Sequence, residues 1–215
     1  MEEKAFLVNL QRCVGCRACQ VACKTWHKLP PEFPVFFEGP SLQNPGKLSA
    51  STWSLVIFNE VLREDGPYWF FRKHQCMHCH SALCMKACKR QAIVRDDATG
   101  LVWVDREICQ GNQDCRKACP YEAILFDPNI KKAVKCDFCF DRVAQGMLPS
   151  CAASCSSEAI SFGPRPEMLK QAREYLRKFP EIKIYGERKP YDGLGVLYLY
   201  QGNPDRYRFK VKSKT

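Results

Sequence analysis

The sequence predicts an α+β fold of two related units, with an insertion after the first motif and a helix-and-strand extension at the C-terminal end. Three observations predict it. Fifteen cysteines in 215 residues fall into four tight groups, and the groups are spaced almost alike. Three of them run on into the same short sequence: Cys88-Lys-Arg-Gln-Ala-Ile, Cys119-Pro-Tyr-Glu-Ala-Ile and Cys155-Ser-Ser-Glu-Ala-Ile. An internal repeat of this kind marks duplicated units that stack on one another. Each would be a cysteine loop, a short helical turn and a strand, with Ile93, Ile124 and Ile160 turned inward.

The first group shows what the cysteines are for. Cys13, Cys16, Cys19 and Cys23 form C-x2-C-x2-C-x3-C. Three thiolates at that spacing wrap one face of a cubane iron–sulfur cluster, with small Gly15 and Ala18 letting the backbone approach the sulfurs. The fourth cysteine is expected at the start of a helix, pointing away. In two-cluster ferredoxins it serves the neighbouring cluster. Zinc sites use two ligand pairs separated by a longer loop and have no use for such a triplet. Cys76, Cys79, Cys84 and Cys88 give C-x2-C-x4-C-x3-C. Cys109, Cys115 and Cys119 repeat the first pattern with Asn112 at its second position, and Cys136, Cys139, Cys151 and Cys155 give C-x2-C-x11-C-x3-C. One substituted position accounts for the odd count of 15. A secreted disulfide framework predicts an even number and no triplets.

Four motifs make two ferredoxin-like, two-cluster units, in which each cluster takes three cysteines from one motif and the last cysteine of its pair. Spacing alone does not prove the pairing. A nested arrangement keeps motifs two and three continuous as an inner unit, residues 71–132. Residues 1–70 with 133–163 form the outer unit, carrying the insertion 26–73, and 164–215 form the extension. On that pairing Cys13, Cys16, Cys19 and Cys155 hold one cluster, and Cys136, Cys139, Cys151 and Cys23 its neighbour. Cys76, Cys79, Cys84 and Cys119 hold a third. The fourth site has Cys109, Cys115 and Cys88, plus whatever Asn112 offers. A neutral amide is a poor iron ligand, so three outcomes stand there: a three-iron cluster, a four-iron cluster capped by Asn112 or water, or none. With one thiolate fewer, this site is expected to be the most oxidising of the four.

The net charge of +10 would suit nucleic acid, a membrane surface or an acidic partner, but thiolate-ligated clusters are anionic, and Lys and Arg near them balance that charge. The triplets argue against a zinc-binding interaction or nucleic-acid module. No stretch approaches the ~20 apolar residues of a membrane span. Met1-Glu2-Glu3-Lys4 opens directly into a strand-like run, Ala5 to Val8, so no secretory signal is visible. The insertion holds a Pro-rich run, Leu29 to Pro34, a loop over Leu42 to Gly46 and a strand-like Thr52 to Leu62, read as a docking surface or a hairpin cover over the clusters. Leu101 to Asp105 and Ala133 to Lys135 read as hairpin strands bounded by Asp-, Asn- and Gly-rich turns. His74, His78 and His80 could ligate a catalytic metal, but their interleaving with Cys76 and Cys79 favours surface positions or contacts behind the ligands. Pro166 to Phe179 has helical periodicity and is expected as a surface helix packed on the cluster core. Val196 to Tyr200 reads as a strand. The last ten residues alternate basic with aromatic, which predicts a basic edge strand or a solvated tail.

Taken together, the residues resemble the iron–sulfur electron-transfer subunits of the complex molybdenum and tungsten pterin enzymes, and most of all the beta subunits of formate dehydrogenases. The likeness is carried by Cys13 to Cys23, Lys24-Thr-Trp-His-Lys-Leu-Pro, Gln43-Asn44-Pro45 and Cys136-Asp-Phe-Cys-Phe-Asp-Arg-Val. The resemblance implies the nested pairing, three 4Fe-4S clusters, and a fourth site holding 3Fe-4S or a 4Fe-4S cluster with a non-cysteine ligand. It also implies that the Cys13 cluster lies nearest the catalytic subunit and the Cys109 site at the far end. The chain would be a non-catalytic wire between a Mo/W-bis-pterin catalytic alpha subunit and a downstream cytochrome, membrane subunit or soluble carrier. The alternative is the same wire role in a polysulfide, sulfoxide, tetrathionate or arsenate reductase. Its compartment would be the periplasm, by co-export with the catalytic subunit, or the cytoplasm. Two departures stand out: Ser156 replaces a proline common after the last cysteine, and Asn112 replaces a cysteine. Nitrate reductase beta subunits have another non-cysteine residue at the latter position and hold a three-iron cluster there. The membrane helix of membrane-bound formate dehydrogenase beta subunits is not seen, which implies a soluble complex or a separate membrane partner.

Overall fold

In the computed structural model, which describes residues 2–34 and 41–209, the chain begins with β1 (Lys4–Asn9), whose alternating side chains serve two different cores. Phe6 and Val8 face the cysteine-rich core, while Ala5 and Leu7 face a second, smaller one. After the first cysteine loop comes α1 (Ala18–Trp26), and the insertion ends in a long antiparallel hairpin of β2 (Leu55–Arg63) and β3 (Gly66–His74). Leu55, Val56, Ile57 and Phe58 at its base are buried with the cysteines, whereas Leu62 and Trp69 near its tip are exposed.

Motifs two and three then repeat one plan. α2 (Leu83–Ala87) precedes the hairpin β4 (Ile93–Arg95) and β5 (Val102–Val104), and α3 (Asp114–Ala118) precedes β6 (Leu125–Asp127) and β7 (Lys132–Val134). The fourth motif adds α4 (Phe140–Val143), α5 (Ser150–Ala153) and β8 (Ile160–Pro164). α2 packs on α3, and α1 on α5. Ile93, Ile124 and Ile160 are all buried in the cysteine core, as the repeat predicts. Gln91, Glu122 and Glu158, each three residues after the last cysteine of its motif, share a left-handed backbone at φ 54, 51 and 50. The sequence repeat is therefore also a conformational repeat.

The extension comprises α6 (Arg165–Lys178), β9 (Ile182–Tyr185) and β10 (Val196–Gln201). Pro166 in the first turn of α6 lacks an amide hydrogen that would have no partner there, and Arg177 and Lys178 sit at its negative end. β10 runs parallel to β1, Phe6 opposite Val196, and the sheet order is β8-β1-β10-β9. Strand alternation divides β10 as it divides β1. Val196, Tyr198 and Tyr200 join the cysteine core, and Leu197 and Leu199 join Met168 and Ala172 of α6. The architecture is α+β, with one four-stranded sheet and three two-stranded ones among the described residues.

Three expectations are corrected. The helix Arg165–Lys178 forms, but it covers the far face of the sheet rather than the cysteine core, because β1 and β10 stand between them. The alternating C-terminal run is not an edge strand where it is described: Pro204–Tyr207 is a 3₁₀ turn, and Tyr207 and Phe209 are buried. Residues 210–215 lie outside the described residues. The fourth cysteine of a motif does not open a helix. Cys23 lies within α1, and Cys88 and Cys119 directly follow α2 and α3, because the helical turn begins before the third cysteine.

Candidate metal centres

The cysteine loops are shaped by residues with positive φ. In the first motif Gly15 at φ +70 and Arg17 at φ 63 turn the chain sharply around Cys16. A side chain at Gly15 would lie 2.9 Å from the Phe71 ring, which covers the loop. The third motif reproduces this backbone with Gly111 at φ +74 and Gln113 at φ 63, so Asn112 stands where Cys16 stands. Gly111 is held still more tightly: a Cβ there would lie 2.3 Å from the Lys131 carbonyl.

None of the 15 cysteines is paired in a disulfide. Thiol neighbours cross motif boundaries, between the first motif and the fourth and between the second and the third. Cys13 faces Cys155 and Cys16, and Cys19 faces Cys151, Cys13 and Cys155. Cys23 of the first motif lies with Cys151 and Cys139 of the fourth, and Cys136 faces Cys23. Cys79 faces Cys76, Cys119 and Cys84, while Cys115 faces Cys88 and Cys109. Cys88, Cys109, Asn112 and Cys115 line one depression, with Gln113 and Asp114 on its rim.

Burial, aided by neighbouring thiols, pushes Cys19 and Cys84 up to about 12. Burial also takes Cys115 and Cys139 to about 11. A thiol becomes a metal ligand as thiolate, and gathered buried thiols ionise when a cation is there to receive them. Backbone amides already point at sulfur: Ala123 N–H donates to Cys119 Sγ at 3.4 Å and Ala133 N–H to Cys109 Sγ at 3.5 Å. Closely grouped thiols with amide donors to sulfur fit iron–sulfur clusters by their chemistry.

The three histidines of the second motif do not converge. His74 Nδ1 lies 3.0 Å from Arg72 Nη1, and His78 Nδ1 accepts from Val102 N–H at 3.1 Å. His80 Nε2 lies 2.8 Å from Glu3 Oε1. His74 and His78 are buried rather than on the surface, and burial holds both well below the ordinary histidine range, so each is neutral. The residues that sequence reasoning missed are buried cations: Arg72, Lys73 and Lys135. Lys135 Nζ donates to the carbonyls of Val102 and Cys136. The signal for Arg72 and Lys73 is an Arg-Lys-His run that ends an otherwise apolar strand, one residue short of Cys76, and Lys135 directly precedes Cys136. His27 was missed as well: its Nε2 is 3.6 Å from Cys139 Sγ and 3.5 Å from Asp137 Oδ1.

Fold and thiol groups define a ferredoxin-type iron–sulfur protein with several clusters. Residues 67–165 match the 4Fe-4S dicluster domain, and residues 4–25 a 4Fe-4S binding domain. The chain is 35% identical to formate dehydrogenase 2 subunit beta (cytochrome c-553) of Nitratidesulfovibrio vulgaris, covering 95% of this chain and 96% of that one. It is 34% identical to formate dehydrogenase subunit beta of Megalodesulfovibrio gigas over the same shares. The formate dehydrogenase-O iron-sulfur subunit of Escherichia coli is 35% identical over 91% of this chain, which spans 64% of that longer protein. The chain belongs to the family of formate dehydrogenase beta, or iron–sulfur, subunits. No described helix is long and apolar enough to cross a membrane.

Proposed function

We propose that this chain carries electrons between a Mo/W-bis-pterin catalytic subunit acting on formate and a downstream acceptor, and performs no substrate chemistry itself. The observation that carries the proposal is the grouping of thiols from different motifs around four neighbouring places in one core. When bound, iron–sulfur clusters supply reversible one-electron transfer with little rearrangement of their surroundings.

The ligand sets that this grouping supports are Cys13, Cys16, Cys19 and Cys155; Cys23, Cys136, Cys139 and Cys151; and Cys76, Cys79, Cys84 and Cys119, each suited to a 4Fe-4S cluster. Cys88, Cys109 and Cys115 would hold the fourth centre with three thiolates, suited to a 3Fe-4S cluster, beside an exposed Asn112. The sets divide into an outer unit of motifs one and four and an inner unit of motifs two and three. Nine of the cysteines lie in one buried core with apolar residues, which limits water around the centres. The relative named for cytochrome c-553 supports a cytochrome as acceptor.

The test is anaerobic purification with copurifying subunits, followed by assay of iron and acid-labile sulfide and by formate reduction. Formate should reduce the clusters only when the large subunit is present. Stoichiometric zinc without sulfide would refute the cluster reading. Clusters indifferent to formate but reduced by another partner's substrate would refute the assignment of partner.

A further inference from the structure

β3 ends in three successive buried residues, Arg72, Lys73 and His74, with exposures of 0%, 1% and 4%. Successive strand residues face opposite ways, so the two cations meet different surroundings. Arg72 is fully partnered. Its Nε donates to the Tyr207 carbonyl at 2.6 Å and its Nη2 to the Arg208 carbonyl at 2.8 Å, while Nη1 reaches His74. Lys73 Nζ, by contrast, has no hydrogen-bond partner among the described residues.

What Lys73 does face is sulfur. The sulfurs of Cys151, Cys19, Cys136 and Cys23 are its neighbours, and its Nζ lies 5.5 Å from the centroid of the Phe6 ring. The Lys73 carbonyl is fixed by Tyr198, whose hydroxyl donates to it at 2.8 Å, so this end of the strand is anchored. A buried ammonium without an acceptor is costly unless an anion compensates it. Of the four thiols, Cys19 belongs to one outer set proposed above, and Cys23, Cys136 and Cys151 to the other.

We infer that Lys73 is a fixed counter-charge shared by the two iron–sulfur centres of the outer unit, raising the reduction potentials of both together. The inference rests on the cluster reading above. Reduction adds negative charge to a centre, and a desolvated cation beside it stabilises the reduced form far more than a surface lysine would. A shared cation shifts both potentials in the same direction, so the gap between the two centres is little altered.

The experiment compares the wild-type complex with Lys73→Met and Lys73→Arg by redox titration monitored by electron paramagnetic resonance. In Lys73→Met two centres should show at least a tenfold lower ratio of reduced to oxidised form at fixed potential, ~59 mV for a one-electron centre. The other centres should be unmoved, and Lys73→Arg should titrate near the wild type. Loss of iron from those two centres alone, with Lys73→Arg retaining them, also supports the inference, since it shows the charge to be needed there. Unchanged potentials, shifts spread over all centres, or equal effects of Met and Arg would overturn it. Failure of the cluster reading is distinguished at the outset, because the wild-type complex would then lack iron and sulfide.

Discussion

Asn112 occupies in the third motif the backbone position that Cys16 occupies in the first. Each follows a glycine, at φ +74 or +70, and each precedes a left-handed residue at φ 63 that caps the following helix. The loop around the proposed fourth centre has the backbone of its counterpart and carries an amide where the counterpart carries a thiol.

Asn112→Cys should therefore restore a four-thiolate site without rebuilding the loop. Iron content should rise by about one per chain relative to the 3Fe-4S form, the resonance of the oxidised three-iron centre should disappear, and the potential of that centre should fall. Iron analysis and a redox titration check this. An unchanged iron content and spectrum would count against the assignment.

Gly111→Ala places a methyl group 2.3 Å from the Lys131 carbonyl at a residue held at φ +74. The strain should cost about 1–3 kcal/mol and fall on the Cys109 loop. The spectrum of the fourth centre should weaken or vanish while the others persist, as metal analysis and thermal unfolding would record.

Arg72→Met removes the donors that hold the carbonyls of Tyr207 and Arg208 to the core. Losing charged hydrogen bonds and leaving buried acceptors unpaired should cost about 2–5 kcal/mol. Limited trypsin digestion should then cut faster after Arg206 and Arg208. Cleavage at the wild-type rate would show that the tail is held by its aromatic packing alone.

Alkaline stability should report on the buried phenols. Burial pushes Tyr185 and Tyr198 above the ordinary tyrosine value. Up to about pH 10 both folded and unfolded chains keep these protons. Beyond it the unfolded chain binds fewer than the folded one, so stability falls as pH rises. Midpoints of thermal unfolding from about pH 9 to about pH 11 should decline, and less steeply in Tyr198→Phe.

Iron removal should unfold the main core, since many of its buried members are cysteines. Chelation under reducing conditions should abolish the cooperative transition in near-ultraviolet circular dichroism. A reductant without chelator should leave it intact, because no disulfide links the 15 cysteines.

Much of this was legible along the chain. Spacing alone marks the triplet Cys13, Cys16 and Cys19, because so short a loop brings its own thiols together wherever it lies. Ala-Ile repeats mark the strands that close each unit, and apolar periodicity marks the helix Arg165–Lys178. The N-terminal strand could be read as a strand, but not its parallel pairing with β10, nearly 190 residues away in sequence.

Only the tertiary structure decides which last cysteine meets which triplet, and on which face of β3 each cation lies. Cys23 reaches Cys151 because α1 packs on α5, a contact that no local spacing encodes. In sequence Lys73 is one member of a short Arg-Lys-His run. It becomes a buried charge because the strand's end is covered on both faces, by the C-terminal turn on one and by four thiols on the other. Local spacing determines what a segment can bind, whereas burial and charge balance arise only when distant segments exclude water from between them.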